Sequence, residues 1–303
     1  MPIPHLADHW VLVTGAASGI GYETALAFAR EQAHIVAVDL NEPGLDGLAQ
    51  DVQRLGVRCL TRRVDVSDAR QVAALAEDLH TALGGPIDVL VNNAGVAYLG
   101  PFLHTPASTW QRLLDINVMG PVHLCQAFLP GMLQAGGARH IVNVGSALGL
   151  AASPALSAYS ATKHAIVGLS DALSMELDGT EVGVSLVCPG VINTPIVRHR
   201  DTAAAVVSAE QLDQLEHHYR LHGAPPSLVA QRIVEAVQDG EDLVLAGPWA
   251  HAMFTMKRLS RHLMRRLMLI GSRQHGFWRD YPLTRRAPSP APAQRVANGH
   301  EVT

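Results

Sequence analysis

The chain has 303 residues, of which 48% are hydrophobic and 17% are charged, and its formal net charge is −4. This composition provides enough apolar surface for a substantial core and excludes a chain that is disordered throughout. The small net charge indicates no particular partner, but it is unevenly spread: residues 251–286 contain nine Lys or Arg and one acid, Asp280.

Apolar runs of strand length alternate with segments of helical spacing along most of the chain. The predicted strands are 10–14, 34–39, 57–64, 88–91, 140–144, 183–187 and 242–246. The predicted helices are 20–31, 44–55, 68–83 with Ser67 as N-cap, 109–134, 159–177, 209–221 and 228–238. Strict alternation favours parallel βαβ units, and near-continuous apolar strands are typical of sheets covered on both faces. The sequence therefore predicts an α/β fold with a doubly wound parallel sheet.

A glycine-rich loop follows the first predicted strand. Gly15, Gly19 and Gly21 occur in the pattern T-G-x-x-x-G-x-G over residues 14–21, between a strand and a helix. In such a loop a dinucleotide pyrophosphate can approach the backbone and the positive end of a helix. An ordinary βα turn is the alternative. We assign cofactor contacts to the three glycines and to Ser18 and Ile20.

Asp39 ends the second strand, eighteen residues after Gly21. A carboxylate at this position can accept hydrogen bonds from both ribose hydroxyls of adenosine and would repel a 2′-phosphate. The neighbouring residues Leu40 and Asn41 carry no positive charge that would favour the phosphate. The sequence therefore predicts NAD rather than NADP.

Ser146, Tyr159 and Lys163 form a candidate catalytic group. Tyr159 and Lys163 are four residues apart on a predicted helix, so they share one face. A tyrosine with its usual pKa of about 10 is a poor base at neutral pH. A nearby ammonium is expected to lower the pKa of Tyr159, and Ser146 can hydrogen-bond a substrate oxygen. The Tyr-x-x-x-Lys pattern is also common on helix surfaces, so its interpretation depends on the glycine loop.

Further motifs accompany these residues: Asp65 after the third strand, Asn92-Asn93-Ala94-Gly95, Asn117 and Pro189-Gly190. In order and spacing the whole set resembles the short-chain dehydrogenase/reductase family, over about residues 8–195. The resemblance implies a catalytic tetrad, consisting of Asn117, Ser146, Tyr159 and Lys163. It implies that Tyr159 exchanges a proton with the substrate, that Lys163 also holds the nicotinamide ribose, and that Asn117 binds a water linking Lys163 to solvent.

The resemblance also implies cofactor contacts beyond the glycine loop and Asp39. They are Asp65, Val66, Asn92, Ala94, Gly95, Tyr159, Lys163, Pro189, Gly190, Ile192 and Thr194. Asp65 and Val66 would flank the adenine, and Pro189, Ile192 and Thr194 would line the nicotinamide side. Asn93 would support the central sheet. A homodimer or homotetramer built on the helices of Asn117 and Tyr159 is a further expectation from the family.

We expect three regions along the chain. Residues 1–247 form a Rossmann-type dehydrogenase domain, in which 191–225 are the substrate lid. Residues 248–284 form a basic amphipathic extension, and the Pro/Ala/Ser-rich residues 285–303 form a disordered tail. Apolar lid residues are expected either to face a ligand or to pack on their own domain; they are Val206, Val207, Leu212, Leu215, Tyr219 and Leu221.

Residues 252–270 of the basic extension predict a single amphipathic helix. Met256, Leu259, Leu263, Leu267 and Ile270 would form one apolar stripe flanked by Arg and Lys. Such a helix suits peripheral contact with an anionic membrane. It equally suits packing on the acidic body of the protein or on a second subunit. The extension has too few aromatic residues to predict nucleic-acid binding.

The remaining signals concern location and metals. Three widely spaced cysteines, no visible secretory signal and no long apolar run predict a cytoplasmic protein, with the membrane periphery as an alternative. His218 and His222 lack an accompanying acid at zinc-site spacing, so we predict no metal.

The predicted function is hydride transfer between NAD(H) and a secondary alcohol or ketone, with a lipophilic substrate of the steroid-like, aryl or long-chain type. One alternative is an NADP-dependent carbonyl reductase. Another is a membrane-recruited NAD-binding scaffold without turnover, which the complete tetrad disfavours.

Overall fold

The computed structural model describes residues 1–197 and 202–274. Its strands are β1 (Trp10–Thr14), β2 (His34–Asp39), β3 (Cys59–Arg63), β4 (Val89–Asn92), β5 (Arg139–Val144), β6 (Val182–Pro189) and β7 (Leu243–Ala246). They form one sheet in the order β3-β2-β1-β4-β5-β6-β7, and every neighbouring pair is parallel. The predicted doubly wound parallel sheet is confirmed.

Helices connect the strands and cover the sheet. They are α1 (Gly19–Arg30), α2 (Glu42–Arg54), α3 (Ala69–Leu83), α4 (Ala107–Leu114), α5 (Gly120–Gln134), α6 (Ala147–Leu150), α7 (Ser157–Glu176), α8 (Ala209–His222), α9 (Pro226–Asp239), α10 (Ala250–Leu259) and α11 (Arg261–Gln274). Short 3₁₀ turns occur at Phe102–His104 and Pro195–Val197.

Two apolar cores lie on opposite faces of the sheet. Along β1, Val11 and Val13 face the core that includes Phe28 of α1 and Ile233 of α9. The intervening Leu12 faces the other core, which α3 and α5 complete. Because successive strand residues point to opposite faces, burial of both faces requires apolar residues at every position. This is the physical reason for the continuous apolar runs in the sequence.

The long helix predicted over 109–134 is interrupted at Asp115–Met119, which form a turn of π-helix between α4 and α5. Pro121 explains the interruption. A proline has no N–H to donate to the carbonyl four residues earlier, and its ring clashes with that carbonyl. The carbonyl concerned belongs to Asn117, so an unbroken α-helix is disfavoured at this residue. Such turns occur often at functional sites.

The expected N-cap of the third helix was also wrong. Asp68, not Ser67, caps α3, and its carboxylate accepts a hydrogen bond from Arg70 N at 2.9 Å. The Ser67 hydroxyl instead donates to Asp65 Oδ1 at 2.7 Å. A carboxylate is a good N-cap because it accepts the free N–H groups of the first turn.

The C-terminal extension forms two helices rather than the single one predicted over 252–270. Ser260 has an extended backbone between α10 and α11, and its hydroxyl accepts the Leu263 N–H at 3.2 Å. This side-chain bond satisfies a donor in the first turn of α11 and allows the chain to change direction. The rest of the predicted extension, 275–284, and the predicted tail, 285–303, lie outside the described residues.

The methionines of the extension, rather than its leucines, attach it to the body. Met253 and Met264 are buried with Ala147 and Ala151 of the α6 region, and Met256 and Met268 pack against the same cluster. The rest of the predicted stripe, Leu259, Leu263, Leu267 and Ile270, is exposed. Within the described residues, no helix is both long enough and apolar enough to cross a membrane.

Candidate active site

The glycine loop lies at the carboxyl end of β1, where the sheet order reverses between β1 and β4. Ligands of doubly wound sheets bind at such a switch point. Asn93 holds the two strand ends together, because its Nδ2 donates to Thr14 O at 2.8 Å. Thr14 Oγ1 accepts in turn from Asn93 N and Ala94 N at 3.0 and 3.1 Å. The segment after β4 is therefore fixed against the glycine loop.

The glycines of this loop are required by close backbone contacts. Gly15 has a φ of +65°, and a Cβ there would lie 2.9 Å from Ala94 Cα. A Cβ at Gly21 would lie 2.1 Å from Gly15 O, which is a prohibitive overlap. Within the described residues no side chain caps the N-terminus of α1, whose N-cap residue is the exposed Ser18. The first-turn N–H groups can therefore serve an anionic group, so the loop fits a dinucleotide pyrophosphate.

The start of the lid covers this loop. A Cβ at Gly19 would lie 3.5 Å from Thr194 Cγ2 and 3.7 Å from Pro195 Cδ. Thr194 is itself buried. The structure thus brings Thr194 next to the glycine loop. Residues 198–201 of the lid lie outside the described residues.

Asp39 is held at the end of β2 with its carboxylate oriented. Its Oδ2 accepts from Ala17 N at 3.0 Å, and its Oδ1 accepts from Asn41 N at 2.9 Å. Each oxygen retains acceptor capacity, because a carboxylate oxygen can accept two hydrogen bonds. Sequence reasoning missed one neighbour, since the strand register places Arg63 of β3 beside Asp39. Arg63 Nε lies 4.0 Å from Glu42 Oε1, which offsets its charge.

Several predicted cofactor residues have side chains that are already engaged. Asn92 is buried, and its Nδ2 donates to Asn143 Oδ1 at 2.8 Å inside the core. Ile192 is buried in the core, and a Cβ at Gly247 would lie 2.7 Å from its Cδ1. Asp65 Oδ1 accepts from the backbone N and the hydroxyl of Ser67. Because the side chains of Asn92 and Ile192 are buried, any cofactor contact predicted for these residues falls to their backbone groups.

Other predicted residues belong to tightly packed backbone. Val66 is buried, and a Cβ at Gly120 would lie 3.0 Å from Val66 Cγ2. Pro189 is buried at the end of β6. The next residue, Gly190, donates its N–H to Ala246 O at 2.8 Å, and a Cβ there would lie 1.8 Å from Pro248 O. This contact fixes the beginning of the C-terminal extension beside the site.

Ser146, Tyr159 and Lys163 converge beside Gly95. Ser146 caps α6, and its Oγ accepts from Leu148 N at 3.1 Å. The Ser146 hydroxyl also hydrogen-bonds Tyr159. Lys163 Nζ lies 5.8 Å from the centre of the Tyr159 ring and donates to Val144 O at 2.8 Å. A Cβ at Gly95 would lie 3.6 Å from Lys163 Nζ and 3.3 Å from Asn117 Oδ1, so the backbone at Gly95 lies against both side chains.

The pKa of Tyr159 shifts in the direction opposite to the one expected from the sequence. Burial raises the pKa of Tyr159, and electrostatic interaction with Tyr219 and Cys188 raises it further. The hydrogen bond from Ser146 opposes this rise. Lys163 lies over the ring and is bound to a backbone carbonyl, so its charge does not reverse the effect of burial. Burial also lowers the pKa of Lys163 to about 8. Tyr159 is consequently a protonated donor at neutral pH in this arrangement.

Asn117 lies behind this pair, and its amide makes three hydrogen bonds. Its Nδ2 donates to Val96 O at 2.9 Å and to Thr162 Oγ1 at 3.0 Å, while its Oδ1 accepts from Val96 N at 2.8 Å. These contacts join the π-helical turn to α7 and to the segment after β4. The backbone carbonyl of Asn117 receives no N–H from Pro121, four residues later, because proline has no amide proton.

Two neighbours of Tyr159 were missed by sequence reasoning. Tyr219 of α8 and Cys188 of β6 both raise the pKa of Tyr159 through electrostatic interaction. Burial raises the pKa of Cys188 to about 12, so this thiol is neutral and is not a nucleophile. The available sequence signal for Tyr219 was a tyrosine in the predicted lid. The position of Cys188 depends on the strand register.

The apolar residues of the predicted lid differ in their surroundings. Val207 is buried with Leu99, Ala155 and Ala204, and Leu212 and Leu215 pack against this cluster. Tyr219 interacts electrostatically with Tyr159. Val206 and Leu221 are exposed. In the part of the chain that the structure describes, no group of three or more His, Cys, Asp or Glu could hold a metal ion.

Comparison with known proteins agrees with this fold and site. A family model described as short chain dehydrogenase matches residues 9–205. The chain belongs to the short-chain dehydrogenase/reductase family, a family of oxidoreductases.

Individual relatives cover most of this chain. Probable oxidoreductase EphD of Mycobacterium tuberculosis is 39% identical over 268 residues, which are 87% of this chain and 45% of the relative. The chain thus spans less than half the length of that relative. Putative oxidoreductase SadH of Mycobacterium tuberculosis is 32% identical over 88% of this chain and 96% of its own. A crystal structure of a short chain dehydrogenase/reductase from Burkholderia phymatum in complex with NAD is 30% identical, with a TM-score of 0.78, over 86% of this chain and 96% of that one.

Proposed function

We propose that this protein is an NAD-dependent oxidoreductase that interconverts a secondary alcohol and a ketone. The observation that carries the proposal is the position of Tyr159. It is hydrogen-bonded to Ser146, lies beneath the Lys163 ammonium, and sits at the end of the sheet that holds the glycine loop and Asp39. We assign the catalytic domain to residues 1–247 and the lid to 191–225.

Tyr159 serves as the proton donor and acceptor. In reduction the phenol gives its proton to the carbonyl oxygen, and in oxidation the phenolate takes the hydroxyl proton. With substrate bound, Ser146 turns its single hydroxyl proton from Tyr159 to the same oxygen and stabilises its developing charge. Lys163 stabilises the phenolate that remains after proton transfer. When bound, NAD(H) supplies the hydride acceptor or donor, and NAD⁺ adds a positive charge that favours the phenolate.

Lys163 and Asn117 connect this proton to solvent. Because Lys163 has a pKa of about 8, its ammonium can give up and regain a proton near neutral pH. The side chain of Asn117 is bound to Val96 and Thr162, so we assign the water that relays this proton to the Asn117 carbonyl. Pro121 supports the assignment because it cannot donate an N–H to that carbonyl.

The lid supports a lipophilic substrate of the steroid-like, aryl or long-chain type. Tyr219 of α8 interacts electrostatically with Tyr159, and it lies on a segment whose other apolar side chains include Leu212 and Leu215. The test is a screen of secondary alcohols and ketones that follows NADH absorbance, with Tyr159→Phe as the negative control. Turnover that survives in this variant, or no turnover across the panel with either nucleotide, would contradict the proposal.

We propose a homodimer or homotetramer built on the helices around Asn117 and Tyr159. Exposed apolar side chains on these helices support it, namely Leu114, Met119 and Leu133 from α4 to α5 and Met175 on α7. Light scattering after size exclusion should give the mass of two or four chains. Met119→Glu should lower that mass, whereas the exposed Leu103→Glu outside these helices should not. A wild-type monomer at micromolar concentration would contradict the assignment.

We propose peripheral membrane contact for the outer face of α10 and α11, in a protein otherwise located in the cytoplasm. Leu259 is 81% exposed, and Leu263, Leu267 and Ile270 are exposed beside Arg258 and Arg266. No Asp or Glu occurs between Asp242 and Asp280. An apolar stripe with flanking cations binds anionic lipid surfaces.

Vesicle sedimentation tests this contact. Wild-type protein should sediment with vesicles containing phosphatidylglycerol and much less with phosphatidylcholine alone. The double variant Leu263→Ser/Leu267→Ser should lower the partition coefficient by roughly tenfold or more, since burying one leucine is worth about 1.5–3 kcal/mol. The control is Leu103→Ser, another exposed leucine. Equal sedimentation of the two variants would contradict this contact.

A further inference from the structure

A cavity lies between the body of the protein and the C-terminal helices. It has a volume of about 400 Å³ and opens between the 151–154 turn and α7 on one side and α10 and α11 on the other. The 151–154 turn belongs to the segment that joins Ser146 to Tyr159. Neither the glycine loop nor Asp39 lines this cavity. The proposed hydride transfer does not use it.

Three cations line the cavity, namely Lys257, Arg261 and Arg265. Among the residues that the structure describes, none of the three lies within 4.0 Å of a carboxylate, and the cavity lining contains no acid. Burial and the charge of Arg261 lower the pKa of Lys257. Like charges placed this close favour the binding of an anion.

His164 holds the Lys257 ammonium in place. Its Nδ1 lies 2.8 Å from Ser160 O, and because a peptide carbonyl only accepts, this nitrogen carries the ring proton. The neutral ring then presents Nε2 as an acceptor, 3.3 Å from Lys257 Nζ. The contact leaves the ammonium charged and fixes it at the cavity wall. His164 thus orients the Lys257 ammonium without neutralising its charge.

The side chains of α11 that line the cavity beside the two arginines are apolar. Met264 is 5% exposed and packs with Ala151, and Met268 packs on the same cluster. On α11, Arg261, Met264, Arg265 and Met268 recur every three or four residues, so they share the inner face of the helix. The exposed Leu263 belongs to the opposite face, so the cavity and the outer apolar stripe are different surfaces.

We propose that this cavity binds an amphiphilic anion, whose phosphate or carboxylate is held by Lys257, Arg261 and Arg265 and whose alkyl chain lies along Met264 and Met268. Arginine pairs match the oxygens of phosphate and carboxylate through parallel N–H donors. Methionine side chains adapt to flexible apolar ligands. A free inorganic anion would use the cations alone, whereas an alkyl anion uses both parts of the cavity.

Titration calorimetry on the full chain tests the proposal with four probes: octyl phosphate, octanoate, inorganic phosphate and the uncharged octyl glucoside. Octyl phosphate should bind with one site per chain and at least roughly tenfold more tightly than inorganic phosphate, a difference of about 1.4 kcal/mol. Octyl glucoside should show no saturable binding. Whether octanoate binds as tightly as octyl phosphate distinguishes a carboxylate ligand from a phosphate ligand.

Charge variants locate the site. Arg261→Gln/Arg265→Gln should weaken octyl phosphate by roughly tenfold or more, given the usual strength of hydrogen bonds to charged groups. The matched control is Arg258→Gln/Arg266→Gln on the same helices, because Arg258 stacks on Phe254 at 4.8 Å and neither arginine lines the cavity. Both variants change exposed residues, so folding is preserved. Equal weakening by the two variants, or inorganic phosphate binding as tightly as octyl phosphate, would overturn the proposal.

Discussion

Replacing Tyr159 with phenylalanine should lower kcat for ketone reduction by about 10³-fold, within the 10²–10⁴ range that general acid catalysis contributes. This corresponds to about 4 kcal/mol of transition-state stabilisation. The phenol is the group hydrogen-bonded to Ser146 beneath the Lys163 ammonium, and phenylalanine removes the proton while keeping the ring. The measurement is kcat with saturating NADH and an active ketone from the screen.

The control for this variant separates chemistry from structure. Tyr22→Phe removes another phenol, one that donates to Asp51 between α1 and α2, and should leave kcat nearly unchanged. NADH affinity, measured by calorimetry, should stay within about threefold of wild type in Tyr159→Phe. A change of that size corresponds to under 1 kcal/mol. Wild-type kcat in Tyr159→Phe would remove the basis of the proposed mechanism.

The pH dependence of reduction follows from the same pair. Tyr159 must be protonated to donate, and burial keeps it so at neutral pH. Lys163 must be charged to stabilise the resulting phenolate, and it loses this charge as pH rises through about 8. In the wild type, kcat/KM for reduction should therefore fall on the alkaline side of pH 8.

The strands were predictable because each has one dominant physical cause. Burial on both sheet faces requires continuous apolar residues, so predicted and observed strand ends agree to within two residues. The glycine loop was also predictable, since Gly15 and Gly21 lie where any Cβ would overlap neighbouring backbone. The proposed catalytic residues were selected through their family spacing. The protonation state of Tyr159 was not predictable, because its burial depends on segments distant in sequence.

The remaining differences arise from contacts that a local pattern does not contain. Helical periodicity predicted one helix over 252–270, whereas the change of direction at Ser260 depends on packing of Met253 and Met264 against α6. The π-helical turn had a local signal in Pro121, four residues after Asn117, which periodicity alone overlooks. The proximity of Arg63 to Asp39 follows from strand register, which is set only when β2 and β3 pair.

Replacing Asp39 with alanine should lower the ratio of kcat/KM for NADH to that for NADPH by about 100-fold, or about 2.7 kcal/mol. Two effects combine. The variant loses the acceptor that the Ala17 and Asn41 N–H groups orient towards the ribose. It also loses repulsion of a 2′-phosphate, which for unit charges about 4 Å apart reaches about 4 kcal/mol at an effective dielectric of 20.

Asp46→Ala provides the matched control, because Asp46 is an exposed acid on the neighbouring helix α2. Asp46→Ala should leave the ratio of kcat/KM for NADH to that for NADPH unchanged, which separates the effect of the position of Asp39 from that of negative charge in general.

Arg63 provides a second test of the same assignment. It lies beside Asp39 and 4.0 Å from Glu42, so it is available to a phosphate once the Asp39 carboxylate is absent. Adding Arg63→Gln to Asp39→Ala should therefore reduce kcat/KM for NADPH and spare that for NADH. A wild-type preference for NADPH that Arg63→Gln abolishes would reverse the assignment, because Arg63 would then outweigh Asp39 at the adenosine ribose.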